Sequence, residues 1–318
     1  MEKSVFAAVI IAFAISVILS PFLIPYLRKL KIGQTVRDDG PQSHLKKNGT
    51  PTMGGIIILC GIVATSLFYI KDYPGVIPVL FMTVGFGLIG FIDDYIKVVL
   101  KRSKGLSAWQ KMLLQLIVTC IFAYYMVNIA GISLSMRIPF SNGLYWNAGW
   151  LSIVILFIAV LGTVNGANFT DGLDGLASSV TVLIATFFSV LAITTQSGIA
   201  PITLAVVGAL LGFLLFNVHP ASVFMGDTGS LALGGFVVAS AYMLQMPLYI
   251  LIVAFIYLAE VLSVIIQVGY FRLSGGRRIF KMAPIHHHFE LCGWSETRVV
   301  AVFAIITAIL CLIGFMAY

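Results

Sequence analysis

The sequence predicts an all-α polytopic membrane protein with ten transmembrane helices. Three observations lead there. Hydrophobic residues make up 60% of the 318 and charged residues only 10%, against roughly 25% charged in a soluble domain. The apolar residues fall in runs long enough to cross a bilayer core, which takes about 20 helical residues. The charged residues lie between those runs, with the basic ones gathered in alternate loops. No stretch reads as a separable soluble domain, so residues 1–318 are expected to form one integral-membrane domain.

The first run reaches from Val5 to about Tyr26. Lys3 precedes it, as in a signal peptide, but a signal h-region holds roughly 7–15 residues, and no A-x-A site follows. It is read as a first span near 4–26. Further spans are expected near 54–70, 76–93, 110–129, 149–166, 177–195, 201–217, 230–246, 248–271 and 298–317. An even number places both termini on one side. Loops at about 27–53, 94–109 and 272–297 hold most of the basic residues, among them Arg28, Lys29, Lys46, Lys47, Lys97, Lys101, Arg102, Arg277, Arg278 and Lys281; the opposite side has only Lys3, Lys71 and Arg137. Basic loops mark the cytoplasm. Both termini are therefore expected to be extracytoplasmic, with five cytoplasmic loops. The extracytoplasmic segment 130–148 is expected to form a small hairpin. The four cysteines show no metal or redox spacing and are read as small core residues.

The acids collect on the cytoplasmic side too, which no topogenic rule requires. Asp93 and Asp94 end span three in FIDDYIK, Asp171 and Asp174 follow span five in NFTDGLDGL, and Asp227 follows span seven in FMGDTGS. An Asp at the centre of a span costs ~2.5–3.5 kcal/mol, less near the interface, so such residues are functional by default. Capping is the structural alternative for Asp227 before span eight and for Asp174 before span six. It does not account for Asp93 and Asp94, because the helix dipole disfavours anions at a C-terminal end. Successive helical residues point ~100° apart, so Asp93 and Asp94 are not expected to face one atom. Asp93 and Lys97, at i and i+4, share a face. Glycines 172, 175, 226 and 229 beside the loop acids let backbone approach a ligand. Scattered single Asp residues suit Mg²⁺, which takes one or two carboxylates plus waters and substrate phosphates. The one deep acid is Glu260, within span nine.

Histidines 286, 287 and 288 are consecutive in PIHHHFE. Consecutive side chains splay, and no H-E-x-x-H or Cys pairing accompanies them. Donation to phosphate or sugar oxygens, or proton transfer, is the better reading than zinc. GFGLIG (85–90) fits a dinucleotide fingerprint but lies inside an apolar span, so it is read as close helix packing. GTPTMGG (49–55) opens a span directly after Lys46 and Lys47 and is suited to cradle an anion.

Taken together, SHLKKNGTPTMGG, FIDDYIK, NFTDGLDGLA, NVHPASVFMGDTGS and PIHHHFELCGW, spread over residues 43–294, resemble the polyprenyl-phosphate N-acetylhexosamine-1-phosphate transferases. Within that superfamily the phospho-MurNAc-pentapeptide translocases are the nearest branch. The resemblance implies a Mg²⁺-dependent reaction in the bacterial plasma membrane, with the active site facing the cytoplasm. UDP-MurNAc-pentapeptide and undecaprenyl phosphate would give lipid I and UMP. It further implies that Asp93 is the base or acceptor-phosphate contact, supported by Asp94 and Lys97, and that Asp227 is the Mg²⁺ ligand. Asn168, Asp171 and Asp174 would line the nucleotide pocket, with Phe224 stacking on uracil and Asn217 nearby. Lys47 and Thr52 match positions beside the uridine and diphosphate. His286 and His287 would contact sugar or phosphate, His286 with a catalytic part and His288 with a lesser one. Ser222 departs from the pattern, since many relatives carry Lys there. A sister enzyme moving GlcNAc-1-phosphate is the first alternative. An ion-coupled transporter is remote, since it would place acids mid-span or on both sides, and here only Glu260 is deep. The largely apolar surface permits a homodimer without requiring one.

Overall fold

The structure, a computed structural model, describes residues 2–29, 49–100, 102 and 105–318. Lys47, together with His44 and Lys46, lies outside the described residues. The chain is helical almost throughout: α1 (Glu2–Lys29), α2 (Gly55–Tyr69), α3 (Val76–Val98), α4 (Ala108–Tyr124), α5 (Leu151–Thr170), α6 (Leu176–Thr194), α7 (Ala200–Asn217), α8 (Gly226–Met243), α9 (Ile250–Val253), α10 (Phe255–Leu273), α11 (Ile285–Leu291) and α12 (Glu296–Met316). Eight of these are long and apolar enough to cross a membrane; α2 is apolar but has 15 residues, and α8 carries more small and polar residues. The protein is multi-pass.

Each expected span overlaps a helix, eight of them long enough to cross a membrane, and the differences lie at the ends and within span nine. Span three was expected to stop at residue 93, yet α3 runs on to Val98 and keeps Asp93, Asp94 and Lys97 helical. Span eight was expected from 230, but helix geometry begins at Gly226 and includes Asp227. Span nine is broken: a 3₁₀ turn (Pro247–Tyr249) and α9 precede a kink at Ala254 (φ −105°, ψ 29°) before α10 starts. The HHHFE stretch, read as loop, forms α11. The hairpin within 130–148 is present as β1 (Met136–Arg137) paired antiparallel with β2 (Tyr145–Trp146). Its Arg137 donates its backbone N–H to Gln245 O at 2.8 Å, and the guanidinium lies 3.7 Å from the Tyr318 ring centroid, tying the hairpin to the chain's end.

Burial sorts the helices. About 70% of the spanning windows of α6 and α7 is buried, against 22–28% in α1, α4, α10 and α12. The outer helices are as apolar as the inner ones, and they present Ile10, Phe22, Phe68, Leu113 and Leu312 outward. Such faces suit lipid and not water. Cys60 and Cys120 sit on these outer faces and Cys292 is also exposed, so only Cys311 fits the expected core role.

The inner helix that matters most is α8, packed against α3, α5 and α2. Without a hydrophobic force between helices in lipid, small residues and close backbone approach do the work. At Gly55 a Cβ would stand 2.1 Å from Gly229 N, and at Gly90, the last residue of GFGLIG, it would stand 2.0 Å from Asp227 O. These contacts bring α2 and α3 onto the first turn of α8. The expectation of close packing at GFGLIG matches that geometry.

Candidate active site

Several helix ends converge around that first turn: the C-terminal turns of α3 and α5, the start of α4, and the loop after α7. Asp93 is almost wholly buried. Its Oδ2 meets Lys97 Nζ at 2.5 Å and Lys111 Nζ at 3.2 Å, while Oδ1 accepts from Leu106 N at 2.7 Å. Asp227 is more open. Its Oδ2 takes Lys97 at 3.0 Å and Lys111 at 2.8 Å, and its Oδ1 accepts from Asn168 Nδ2 at 2.8 Å. Two carboxylates from different helices thus share two ammonium groups. Asn168 also donates to Ser230 Oγ at 2.8 Å, so its amide is held from α8.

Lys111 is the functional candidate that sequence reasoning missed. It fell inside the apolar run read as span four. The signal was a lone cation one turn into a membrane helix, in WQKMLLQ. The local sequence fixes its place: Ser107 and Gln110 form a reciprocal capping box that starts α4 one residue before Ala108.

Asp94 points away from Asp93, as successive helical positions require. Its carboxylate accepts from Asp227 N (3.2 Å), Thr228 N (2.9 Å) and Thr228 Oγ1 (2.6 Å). The two amides belong to the first turn of α8, where backbone N–H groups have no partner within the helix and no side-chain cap of its own is present. The expectation that capping could not account for this pair considered only the helix on which Asp94 sits. Asp94 closes the N-terminus of the neighbouring helix, where a carboxylate is favourable. Neither Asp227 nor Asp174 caps its own helix.

Asp171 ends α5 and accepts from Gly226 N at 3.1 Å. Desolvation in the packed cleft, then the charges of Asp227 and Asp94, hold its carboxyl well above the usual carboxylate range. Thr52 is buried against Gly226. The GTPTMGG turn is clipped to the Phe224 strand of backbone by Phe224 N to Pro51 O, Gly54 N to Phe224 O and Gly55 N to Met225 O, each 2.8 Å.

Asp174 and Asn217 belong to an adjoining network. Asp174 Oδ2 accepts from Ala221 N (3.0 Å) and meets His219 Nδ1 (3.1 Å), and its own N–H donates to Glu296 Oε1 at 2.6 Å. Asn217 is buried, accepts from Ser178 Oγ and donates to Val223 O, so its amide shapes the 218–223 loop. The three histidines diverge. His286 is buried, with Nδ1 3.1 Å from both Glu260 oxygens and Nε2 turned to Gly172. His287 pairs with Glu290 at 2.9 Å. His288 accepts from Lys281 N and approaches Cys292 Sγ, so it serves the loop after α10 and not the acidic cleft.

Three matches with known proteins locate this site in a family. The Glycosyl transferase family 4 profile matches residues 76–245. The Phospho-N-acetylmuramoyl-pentapeptide-transferase signature 1 matches residues 47–59. The chain is 52% identical over 313 residues to a phospho-N-acetylmuramoyl-pentapeptide-transferase of Clostridium novyi (strain NT), covering 98% of this chain and 95% of that one. The chain belongs to the phospho-N-acetylmuramoyl-pentapeptide-transferase family. Transferases of that name from Clostridioides difficile (strain 630), 52% identical over 97% of this chain and 96% of theirs, and Acetivibrio thermocellus, 51% over 97% and 93%, match it along the same length. Within this transferase the family profile spans Asp93 to Asp227 and the signature covers Thr52. His286 lies beyond both and is brought to the site by the fold alone.

Proposed function

We propose that this chain moves phospho-MurNAc-pentapeptide from UDP-MurNAc-pentapeptide to undecaprenyl phosphate, giving lipid I and UMP for peptidoglycan synthesis. The observation that carries the reading is the Asp93–Lys97–Lys111–Asp227 cluster at one set of helix ends, in a chain half identical to transferases of that name. The acceptor phosphate of a polyprenyl lipid stays at headgroup level and the nucleotide sugar arrives from water. Chemistry between them belongs at an interface, where spanning helices end. The gathering of basic residues in alternate loops supports a cytoplasmic side for that interface, with both termini outside and ten crossings, and the family supports a bacterial plasma membrane.

Phosphoryl transfer is mostly positioning and charge neutralisation. Lys97 and Lys111 supply two cations for the lipid phosphate beside Asp93, which is placed to take its proton or to hold it by way of the lysines. Asn168, Asp171, Phe224 and Thr52 line the approach of the nucleotide, and Lys47, Asp174, Asn217, His286 and His287 are assigned to the same pocket on the family resemblance, whereas His288 turns to the loop after α10. Asp227 is the residue that would hold Mg²⁺. It is a partly open carboxylate, the oxygen ligand a hard cation takes, and among the described residues its charge is met by Lys97, Lys111 and the Asn168 amide, which the ion would displace. Bound there, the ion would neutralise diphosphate charge.

The test is UMP release from purified protein in detergent, with UDP-MurNAc-pentapeptide or UDP-GlcNAc and with or without undecaprenyl phosphate and Mg²⁺. Release only with the first sugar, the lipid and Mg²⁺ is expected. Turnover of UDP-GlcNAc would move the chain to the sister activity. Full activity in Asp227→Ala and Asp93→Asn would overturn the residue assignments.

A further inference from the structure

Glu260 is fully buried on α10, a membrane-spanning helix, where a carboxylate is costly and needs a partner. Among the described residues its carboxylate has one hydrogen-bond partner, His286 Nδ1, 3.1 Å from each oxygen. His286 is 1% exposed, and among the described residues its Nε2 has no hydrogen-bond partner. That nitrogen is turned to the Asp171–Leu173 turn: a Cβ on Gly172 would stand 2.2 Å from it. A buried ring nitrogen without a partner costs about 1–3 kcal/mol. It persists here beside Asp171, whose carboxylate binds the amide of Gly226, the residue before Asp227. Glycine at 172 leaves the ring's path to that turn open.

We propose that Glu260 is a positioning residue for the transfer reaction: it accepts Nδ1–H of His286 and thereby presents Nε2–H as a donor to a diphosphate oxygen of the nucleotide sugar. The inference rests on the reading under Proposed function, because it needs an anionic oxygen at the Gly172 turn. A carboxylate behind an imidazole fixes the ring's orientation and balances the charge of a ring that donates from both nitrogens. The uridylyl phosphate gains charge as it leaves, so a donor aimed at it contributes more in the transition state than in the bound complex. The loss on removing it therefore belongs in kcat.

The experiment is a double-mutant cycle on UMP release by the full chain in detergent micelles, using E260Q, H286A and the double variant, with thermal melting as a folding control. Gln is isosteric with Glu and leaves the bundle packed, but it removes the charge. H286A is expected to lower kcat at least tenfold. E260Q is expected to lower it to a similar degree, with KM for UDP-MurNAc-pentapeptide changed less than threefold. The double variant is expected to be no slower than H286A alone. Losses that multiply in the double variant, or wild-type kcat in E260Q with a slow H286A, would overturn the positioning role. Wild-type kcat in H286A would overturn both the proposal and the part that the family resemblance gives His286. A lowered melting temperature in E260Q with kcat unchanged would assign Glu260 to stability alone and also overturn the proposal.

Discussion

Gly90 holds α3 against the first turn of α8, and its replacement by alanine is the sharpest test of how the site is assembled. A Cβ there would lie 2.0 Å from Asp227 O and 2.3 Å from Asp227 C. Real Cβ atoms do not approach closer than about 3.0 Å, so α3 and the start of α8 must part by about 1 Å. The atoms that move are the backbone of Asp227 itself. Its carboxylate then leaves Lys97, which stays with α3, and Asp94 loses its alignment with the amides of residues 227 and 228. A misplacement of 1 Å can lower a rate by about 10²-fold, and overpacking of this kind costs about 1–3 kcal/mol in stability. Gly90→Ala is therefore expected to lower kcat/KM for UMP release by about two orders of magnitude. Gly162→Ala is the control: Gly162 lies on the adjacent spanning helix α5 with nothing within 4 Å of an added Cβ, and it should leave activity within twofold. Near-normal turnover in Gly90→Ala would refute the claim that contact between α3 and α8 sets the position of Asp227.

Further outcomes follow from the same geometry. Lys111→Met leaves Asp93 and Asp227 to share Lys97 and should lower kcat at least tenfold in the UMP-release assay, with Lys111→Arg recovering part of it. Asp94→Ala orphans three donors, two of them buried, and is expected to lower stability by about 3 kcal/mol, read as a melting shift in detergent; Asp93→Asn, which keeps an acceptor for Leu106 N, should lose activity with a much smaller shift. Asp171 has a raised folded-state carboxyl value, so the folded chain binds more protons than the unfolded one between that value and the usual carboxylate range. Its contribution to stability falls as pH rises through this window. Asp171→Asn should therefore raise the melting temperature at neutral pH without Mg²⁺, and flatten its decline with pH, while activity falls. Ser222→Lys is expected to keep turnover.

Much of this arrangement was legible in the sequence because lipid imposes strong rules. A run of about 20 apolar residues has few alternatives to a helix, and every expected span met one. The pairing of Asp93 with Lys97 followed from helical spacing alone. Helix ends were less legible, since the expected bounds left GDTG before residue 230 and the residues after 93 outside the spans. Both are helical because their polar groups are satisfied by other helices. Asp94 shows the limit plainly: its partners are 133 and 134 residues away, and no local pattern encodes a cap supplied across a helix interface. Lys111 was hidden by the opposite effect, a single charge inside an apolar run. Glu260 was visible as an anomaly, but its partner His286 was not, because the break at Ala254 and the helix at 285–291 join them in space.

The cap that Asp94 provides has a consequence for ligands. Asp93 and Asp94 are joined by one peptide bond on a rigid helix, and one engages the shared lysines while the other grips the backbone of Asp227. The gap between the two lysine-bound carboxylates is thus gauged by a single rung of α3, with no loop between them to relax. A compound that bridges Asp93 and Asp227 through a cationic linker would meet a fixed span. Loop substitutions would do little to retune that span, and escape would have to go through helix residues whose change also dismantles the site.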